Sequence, residues 1–313
     1  MPVLASTFSN RKYINDRSGR MKILVIGGAS YDDIIHVDEF FEPKSATVFV
    51  KKSYSKPGST GIGKSIALKR LGYDVTFIAA IGDDYYGKVI SQMLKDEGIK
   101  FYPLEANKTE RHTNIMNRFG ERITIFTQTS DIEDIFVNAY EKQVKEADIV
   151  VLNIKDYSRY FIPLLKKYQK QVYCDIHDYD GYNTYHKDFI MFSDYIFMSS
   201  DNIKDYKNYM YNLLKDGKKW VVVTHAKKGA SGLDGHEFIE ISSNQIEVID
   251  TNGAGDNFFA GMLHGYLNMY SMQDCLYLGR IVAESCIQSE KVVSDMLNLK
   301  YLEKYFEKLK NIS

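Results

Sequence analysis

The chain has 313 residues, 44% of them hydrophobic and 26% charged, with a formal net charge of −1. A balance so close to zero argues against a polyanion-binding role, and no apolar run has the length of a membrane span, so neither nucleic acid nor membrane is an expected partner. Three cysteines, Cys174, Cys275 and Cys286, follow no metal-ligand spacing and fit buried thiols in a reducing cytoplasm, the expected location.

Residues 1–20 are polar, lack a signal-peptide core and read as an N-terminal extension ahead of one domain spanning 21–313. Lys22–Gly27 is the first of six nearly continuous apolar runs. The others are Val75–Gly82, Asp148–Ile154, Gln171–Ile176, Asp194–Ser199 and Trp220–His225. Runs of this kind suit strands covered by helices on both faces. Helical patterns lie between them at Gly63–Leu71, Tyr86–Glu97, Ile132–Glu146, Arg159–Tyr168 and Asn202–Leu214, and dominate from Ala254 onward. The alternation predicts an α/β fold with a doubly wound, mostly parallel sheet. Two stretches break it. Thr47–Lys56 alternates apolar with polar residues, and Thr113–Thr127 reads as a hairpin around Phe119-Gly120-Glu121. They predict a small β-sheet lid, built from inserted segments near 34–57 and 100–128, through which two chains would also pair as a homodimer.

Gly58–Ser65 reads GSTGIGKS and fits the phosphate-binding pattern G-x-x-x-x-G-K-[ST]. A true P-loop needs a buried parallel strand directly before it and a magnesium-binding Asp closing a second apolar strand. The residues ahead of it are amphipathic and end in Lys56-Pro57, and Asp175 is only a thin candidate for the second role. Cys174–Tyr182 gathers Asp175, His177, Asp178 and Asp180. That density suits either a metal site or a solvated loop at the carboxyl end of a strand, near the crevice of an open sheet.

The most informative stretch is Ile246–Leu267. A strand is expected to end at Asp250-Thr251, followed by Asn252-Gly253-Ala254-Gly255, and Asp256 opens an apolar helix. Small residues at a helix N-terminus let amides approach an anion, and the helix dipole adds to the attraction. A carboxylate beside such a hole can take a proton from a hydroxyl while a phosphoryl group moves. The plainer reading is a tight turn at Gly253–Gly255 with Asp256 as a helix cap.

Asp250, Thr251, Gly253, Ala254, Gly255 and Asp256 match D-T-x-G-A-G-D without a substitution, and Phe259-Ala260-Gly261 continues the motif. The motif resembles the C-terminal signature of the ribokinase/PfkB family of carbohydrate kinases. The resemblance extends over most of the chain from Met21. It implies a ribokinase-like fold and ATP-dependent transfer of the γ-phosphoryl group to a hydroxyl of a sugar or sugar-like small molecule. The amides of Gly253, Ala254 and Gly255 would form the anion hole, and Asp256 would be the general base. Thr251, Asn252, Thr224 and Gly229 would meet the nucleotide, although the family's loop T-x-G-x-x-G has Ala226 in place of its first Gly. Asp32 would bind acceptor hydroxyls, with Asp33 its neighbouring alternative.

Gly82, Asp84 and Gly87 resemble the family's G-x-D-x-x-G turn. The stretch 58–65 falls on the family's N-terminal signature, G-G-x-x-x-N-x-A. Gly58 matches, Ser59 replaces the second Gly, Gly63 the Asn and Ser65 the Ala. Gly63 cannot supply the Asn amide, so Lys64 or Thr60 is left to compensate. Lys155 stands where some sugar kinases have a substrate-contacting Glu. Ser199 and Asn202 occupy the N-x-x-E positions that organise Mg²⁺, which leaves Asp201 as the displaced carboxylate. ATP, Mg²⁺ and a monovalent cation are the implied cofactors. A nucleoside kinase of the same fold and a non-catalytic sugar- or nucleotide-binding relative are the alternatives, the latter opposed by the intact Asp256.

Overall fold

The computed structural model describes residues 20–132 and 135–311. The expected extension over residues 1–20 therefore lies, but for Arg20, outside the described residues. Each of the six apolar runs forms a strand: β1 (Lys22–Ile26), β4 (Asp74–Gly82), β8 (Ile149–Asn153), β9 (Gln171–Asp175), β10 (Tyr195–Ser199) and β11 (Trp220–Thr224). With β5 (Lys100–Ala106), β12 (Ala230–Asp234) and β13 (Phe238–Ile241) they make a nine-stranded sheet of order β13-β12-β11-β10-β9-β8-β1-β4-β5. All pairings are parallel except β11 with β12 and β12 with β13. The strand order reverses between β1 and β8. In open α/β sheets, ligands bind outside the carboxyl ends of the strands at such a switch point.

Alternate residues of each strand enter different cores, because side chains point to opposite faces at every step. Ile23, Val25, Phe77, Val151 and Val222 join α1 (Thr60–Arg70), α2 (Tyr85–Asp96), α7 (Ala254–Leu267), α8 (Met272–Ile287) and α9 (Leu299–Lys310). Leu24, Ile26, Val150, Leu152 and Val221 join α3 (Glu141–Glu146), α4 (Ile162–Lys167), α5 (Lys187–Phe192) and α6 (Tyr206–Lys215). Each fully buried Leu, Ile or Phe contributes about 1.5–3 kcal/mol. α7 is buried on nearly all sides, through Phe258, Phe259, Ala260, Met262 and Leu263, so its N-terminal turn is held by rigid packing.

The second sheet has the order β3-β2-β6-β7, from β2 (Ser30–His36), β3 (Lys52–Gly58), β6 (Glu110–Met116) and β7 (Arg122–Gln128). Its central pair, β2 with β6, is parallel, and the flanking pairs are antiparallel. Several expectations need correction here. The lid begins at Ser30, earlier than 34, because the run after β1 turns out of the main sheet. Residues 100–106 of the expected lid segment instead form β5, paired with β4 at the edge of the main sheet. The expected helix over 132–146 is regular only as α3, preceded by a 3₁₀ turn at Val137–Tyr140, and part of that stretch lies outside the described residues. No strand precedes Asp250; the chain there is held by Ile249 and Asp250 amides donating to the Ile287 carbonyl (2.8 and 3.2 Å).

Candidate active site

Four segments meet at the switch point: the ends of β1, β8 and β9, the turn before α1, the N-terminus of α7, and the inner edge of the lid. Asp32 on β2 is buried. Its Oδ1 accepts from Ser30 Oγ (2.6 Å), and Asn114 Nδ2 lies 3.4 Å from Oδ2. His112 bridges two carboxylates, with Nδ1 3.1 Å from Asp32 Oδ1 and Nε2 3.0 Å from Glu110 Oε1. Lys155 Nζ donates to both oxygens of Glu110, each at 2.6 Å. Asp33, the alternative to Asp32, points the other way and pairs with Arg111 (2.7 Å). Ser59 sits at φ 77°, ψ 157°, a region essentially reserved for Gly, which accounts for a Gly as the ordinary residue there.

Burial alone would lower the His112 pKa, but its bonds to Asp32 and Glu110 outweigh that and raise it from 6.5 to about 9. The folded state therefore favours the imidazolium. Its contribution to stability is complete below about pH 6.5 and is lost as pH rises through about 9. Denaturant unfolding at pH 6.5 and 9.5 should show this loss in the parent chain and a smaller one in His112→Gln. Equal losses in the two proteins would remove His112 from the account.

The turn 58–63, which includes the first turn of α1, runs from Asp32 to Asp256. A Cβ added to Gly58 would lie 2.3 Å from Asp32 Oδ2, and one on Gly63 would lie 3.0 Å from Asp256 Cβ and 3.1 Å from its Oδ2. The P-loop match does not carry over to structure. β3, the strand before it, belongs to the lid and pairs antiparallel with β2. Lys64 is fully buried and faces no open cradle. Its Nζ donates to Asp256 Oδ1 (2.5 Å) and Asp175 Oδ2 (2.9 Å). Lys64 is thus not free to replace a missing acceptor contact, and Thr60 Oγ1 is turned to Asn153 Oδ1 (3.3 Å).

Asp256 lies in the first turn of α7. Burial and the neighbouring Asp175 carboxylate hold it above the usual carboxylate range, opposed by Lys64. Gly253, at φ 91°, makes the left-handed turn into the helix. No side chain caps α7, and a Cβ built on Gly255 would meet nothing within 4 Å. Uncapped amides, open space and the positive end of a helix together fit an anion. One expected donor is engaged, however: the Ala254 amide donates to the Thr251 carbonyl (3.2 Å).

Of the residues expected to meet the nucleotide, Thr224 and Gly229 lie at and just beyond the end of β11, while Thr251 and Asn252 lie in the turn before α7. Thr224 ends β11, and Ala226 adopts φ 47° where the pattern has Gly. Gly229 (φ 116°) lies beside the end of β13, where an added Cβ would be 1.9 Å from the Ile241 carbonyl, so the position requires glycine. His225 bridges Ser200 Oγ (2.8 Å) and Ser231 Oγ (2.7 Å). Asp201 is exposed, its amide donating to Ser199 Oγ (3.1 Å). The acids of 174–182 do not converge: Asp175 is bound to Lys64, Asp178 accepts from Asn202 Nδ2 (3.0 Å), and Asp180 accepts from the Tyr182 and Asn183 amides (both 2.8 Å). Among the described residues no group of three or more His, Cys, Asp or Glu side chains is placed to hold a metal.

The family model for pfkB family carbohydrate kinases matches residues 20–167 and 190–298. The chain belongs to the pfkB family of carbohydrate kinases. It is 25% identical over 271 residues to an acarbose 7(IV)-phosphotransferase from an Actinoplanes species, covering 83% of this chain and 89% of that protein. A ribokinase from Lactococcus lactis is 24% identical over 275 residues (85% and 91%), and a nucleoside kinase from Methanocaldococcus jannaschii 22% over 296 residues (87% and 92%). A solved microbiome-derived acarbose kinase superposes with a TM-score of 0.81 at 24% identity, over 92% of this chain and all of that one. Arabidopsis thaliana ribokinase, solved with ribose and ATP, gives 0.75 at 21% over 92% and 99%. The PfkB fold is the ribokinase-like one expected from the sequence, with helices on both faces of a mostly parallel sheet and a small second sheet.

In this carbohydrate kinase the lid is docked on the turn that precedes α7. Thr251 Oγ1 donates to the Gly120 carbonyl (3.2 Å), and Arg122 Nη1 to Asn252 Oδ1 (2.9 Å). From β3, Tyr54 OH and Lys56 Nζ each donate to Asp250 Oδ2 at 2.7 Å, while the Asn252 amide donates to its Oδ1 (2.7 Å). Tyr54, Lys56, Glu110, His112, Arg122 and the inward Lys64 escape a reading of motifs. Tyr54 and Lys56 left a signal: they are two residues apart in the alternating stretch Thr47–Lys56, and so share one face.

Proposed function

We propose that this carbohydrate kinase moves the γ-phosphoryl group of ATP to a hydroxyl of an uncharged sugar or sugar-like molecule. The observation that carries the reading is the turn 58–63, which touches Asp32 at one end and Asp256 at the other. An acceptor lying along that turn meets a hydroxyl-binding carboxylate and a base at once. Asp256 takes the proton as the acceptor oxygen bonds to phosphorus and the bond to the β-phosphate oxygen breaks. The Gly253 and Gly255 amides, which flank the engaged Ala254 amide, and the α7 dipole favour the charge on the transferring group. Arg122, on the lid beside Asn252, adds a guanidinium to the same region. Magnesium would come with ATP and neutralise its phosphate oxygens, and exposed Asp201 is the candidate carboxylate toward it.

Around the acceptor, Asp32, Glu110, the His112 imidazolium and Lys155 balance to zero charge, with the two cations already engaged. That arrangement supports neutral, hydroxyl-rich acceptors over phosphorylated ones. A nucleoside acceptor is favoured by one feature, the exposed Phe126, whose ring lies 4.2 Å from His112 and offers a flat face to a base. The outer face of β7, with Ile123 and Ile125 exposed, is the apolar surface that pairing of two lids would cover. ADP release measured with ATP, Mg²⁺ and a panel of neutral oligosaccharides, pentoses, hexoses, nucleosides and sugar phosphates tests the proposal. Turnover is expected with a neutral acceptor. Turnover confined to sugar phosphates, or ADP release no faster with any acceptor than without, would reject it.

A further inference from the structure

Lys64 is the least expected feature of the site: an ammonium with no exposed surface, enclosed by α1, β9 and α7. Burial would strip its proton, but Asp175 and Asp256 outweigh that and hold it charged. Its stem also runs beside Phe259, with Nζ 5.2 Å from the ring centre. Asp175 is anchored in turn by the His177 amide, which donates to its Oδ1 (2.9 Å), so Lys64 is fixed from behind by the end of a central strand. Lys64 occupies one oxygen of Asp256 and leaves Oδ2 on the side of Gly63, where no side chain intervenes.

We propose that Lys64, anchored on Asp175, is a positioning residue for Asp256: it binds Oδ1, presents Oδ2 alone to the acceptor hydroxyl along the Gly63 face, and sets its ammonium charge beside the buried carboxylate. This rests on the reading of Asp256 as the base. The groups facing Asp256 are Lys64 on α1, Asp175 and His177 at the end of β9, and the Cys286 thiol on α8, which burial pushes up to about 12 and so keeps neutral. Removing a cation and removing a neighbouring anion must therefore act on Asp256 in opposite directions. The base works deprotonated, so its titration is the acidic limb of the kcat/KM profile.

Lys64→Met is expected to move that limb up by about 1–2 pH units, the usual effect of one close charge. Its kcat should fall roughly 10- to 100-fold at pH 6.5, with the loss narrowing as pH rises and the KM for ATP little changed. Asp175→Asn is expected to move the limb down. A merely structural role would lower folded protein or kcat without splitting the two limbs. Should Lys64→Met yield no folded protein, the double variant Lys64→Met/Asp175→Asn removes one charge of each sign, and its limb must lie above that of Asp175→Asn alone. Limbs that stay in place, or move the same way in both variants, overturn the proposal while Asp256→Asn remains inactive. Turnover surviving in Asp256→Asn instead removes the base itself, and the role of Lys64 with it.

Discussion

Asp256→Asn should lower kcat by about 10²–10⁴-fold, the range of a lost general base, and leave ATP binding intact. The substitution is nearly isosteric. The Asn carbonyl oxygen can still accept from Lys64 Nζ, which keeps its second bond to Asp175. The helix start and the uncapped turn before it are therefore preserved, and only the capacity to take a proton is lost. Single-turnover phosphorylation followed beside calorimetric ATP binding separates these quantities. A variant with near-normal turnover would refute the assignment, and one that bound ATP far more weakly would show that Asp256 serves nucleotide binding instead.

The second large effect is expected at Gly253. Its φ of 91° costs a residue with a Cβ about 1–2 kcal/mol, and that Cβ would stand 3.0 Å from the Val292 carbonyl. Gly253→Ala can fold only by shifting the turn between Asn252 and Asp256. Amides aimed at a transferring phosphoryl group then miss it by a fraction of an ångström, and kcat should drop about 10²–10³-fold, the cost of one lost oxyanion-hole donor. Stability should fall by about 1–3 kcal/mol in parallel. Kinetics below the melting transition distinguish the two effects. Unchanged kcat in a destabilised protein would mean that the turn shapes the fold and does not bind the moving group.

The six central strands were legible in the sequence because both faces of each are buried, which writes an unbroken apolar run. The edge strand β5 was not, since Lys100–Ala106 has one face in water and alternates like a lid strand. Likewise the lid was expected only from about residue 34, although buried and half-buried residues already alternate from Ser30. At the site, Asp32 and Gly253–Asp256 were visible as local motifs, where chemistry is encoded by neighbours in the chain. Lys64, Asp175 and Asp256 are separated by 111 and 192 residues from Lys64, and only the order of strands in the sheet brings them into contact. The same holds for Tyr54 and Lys56, whose partner Asp250 lies 196 and 194 residues away. A motif scan reads Lys64 as a phosphate ligand because it sees the glycines and not the two carboxylates.

The docked lid has a consequence for how the two substrates sense each other. One small sheet carries Asp32 on β2, Tyr54 and Lys56 on β3, which clasp Asp250, and Arg122 on β7, which holds Asn252, while the Gly120 carbonyl between β6 and β7 accepts from Thr251. An acceptor that steadies this sheet also steadies the turn proposed to hold the moving phosphoryl group. Free energy shared in that way is reciprocal, so acceptor and nucleotide must tighten each other's binding by the same factor.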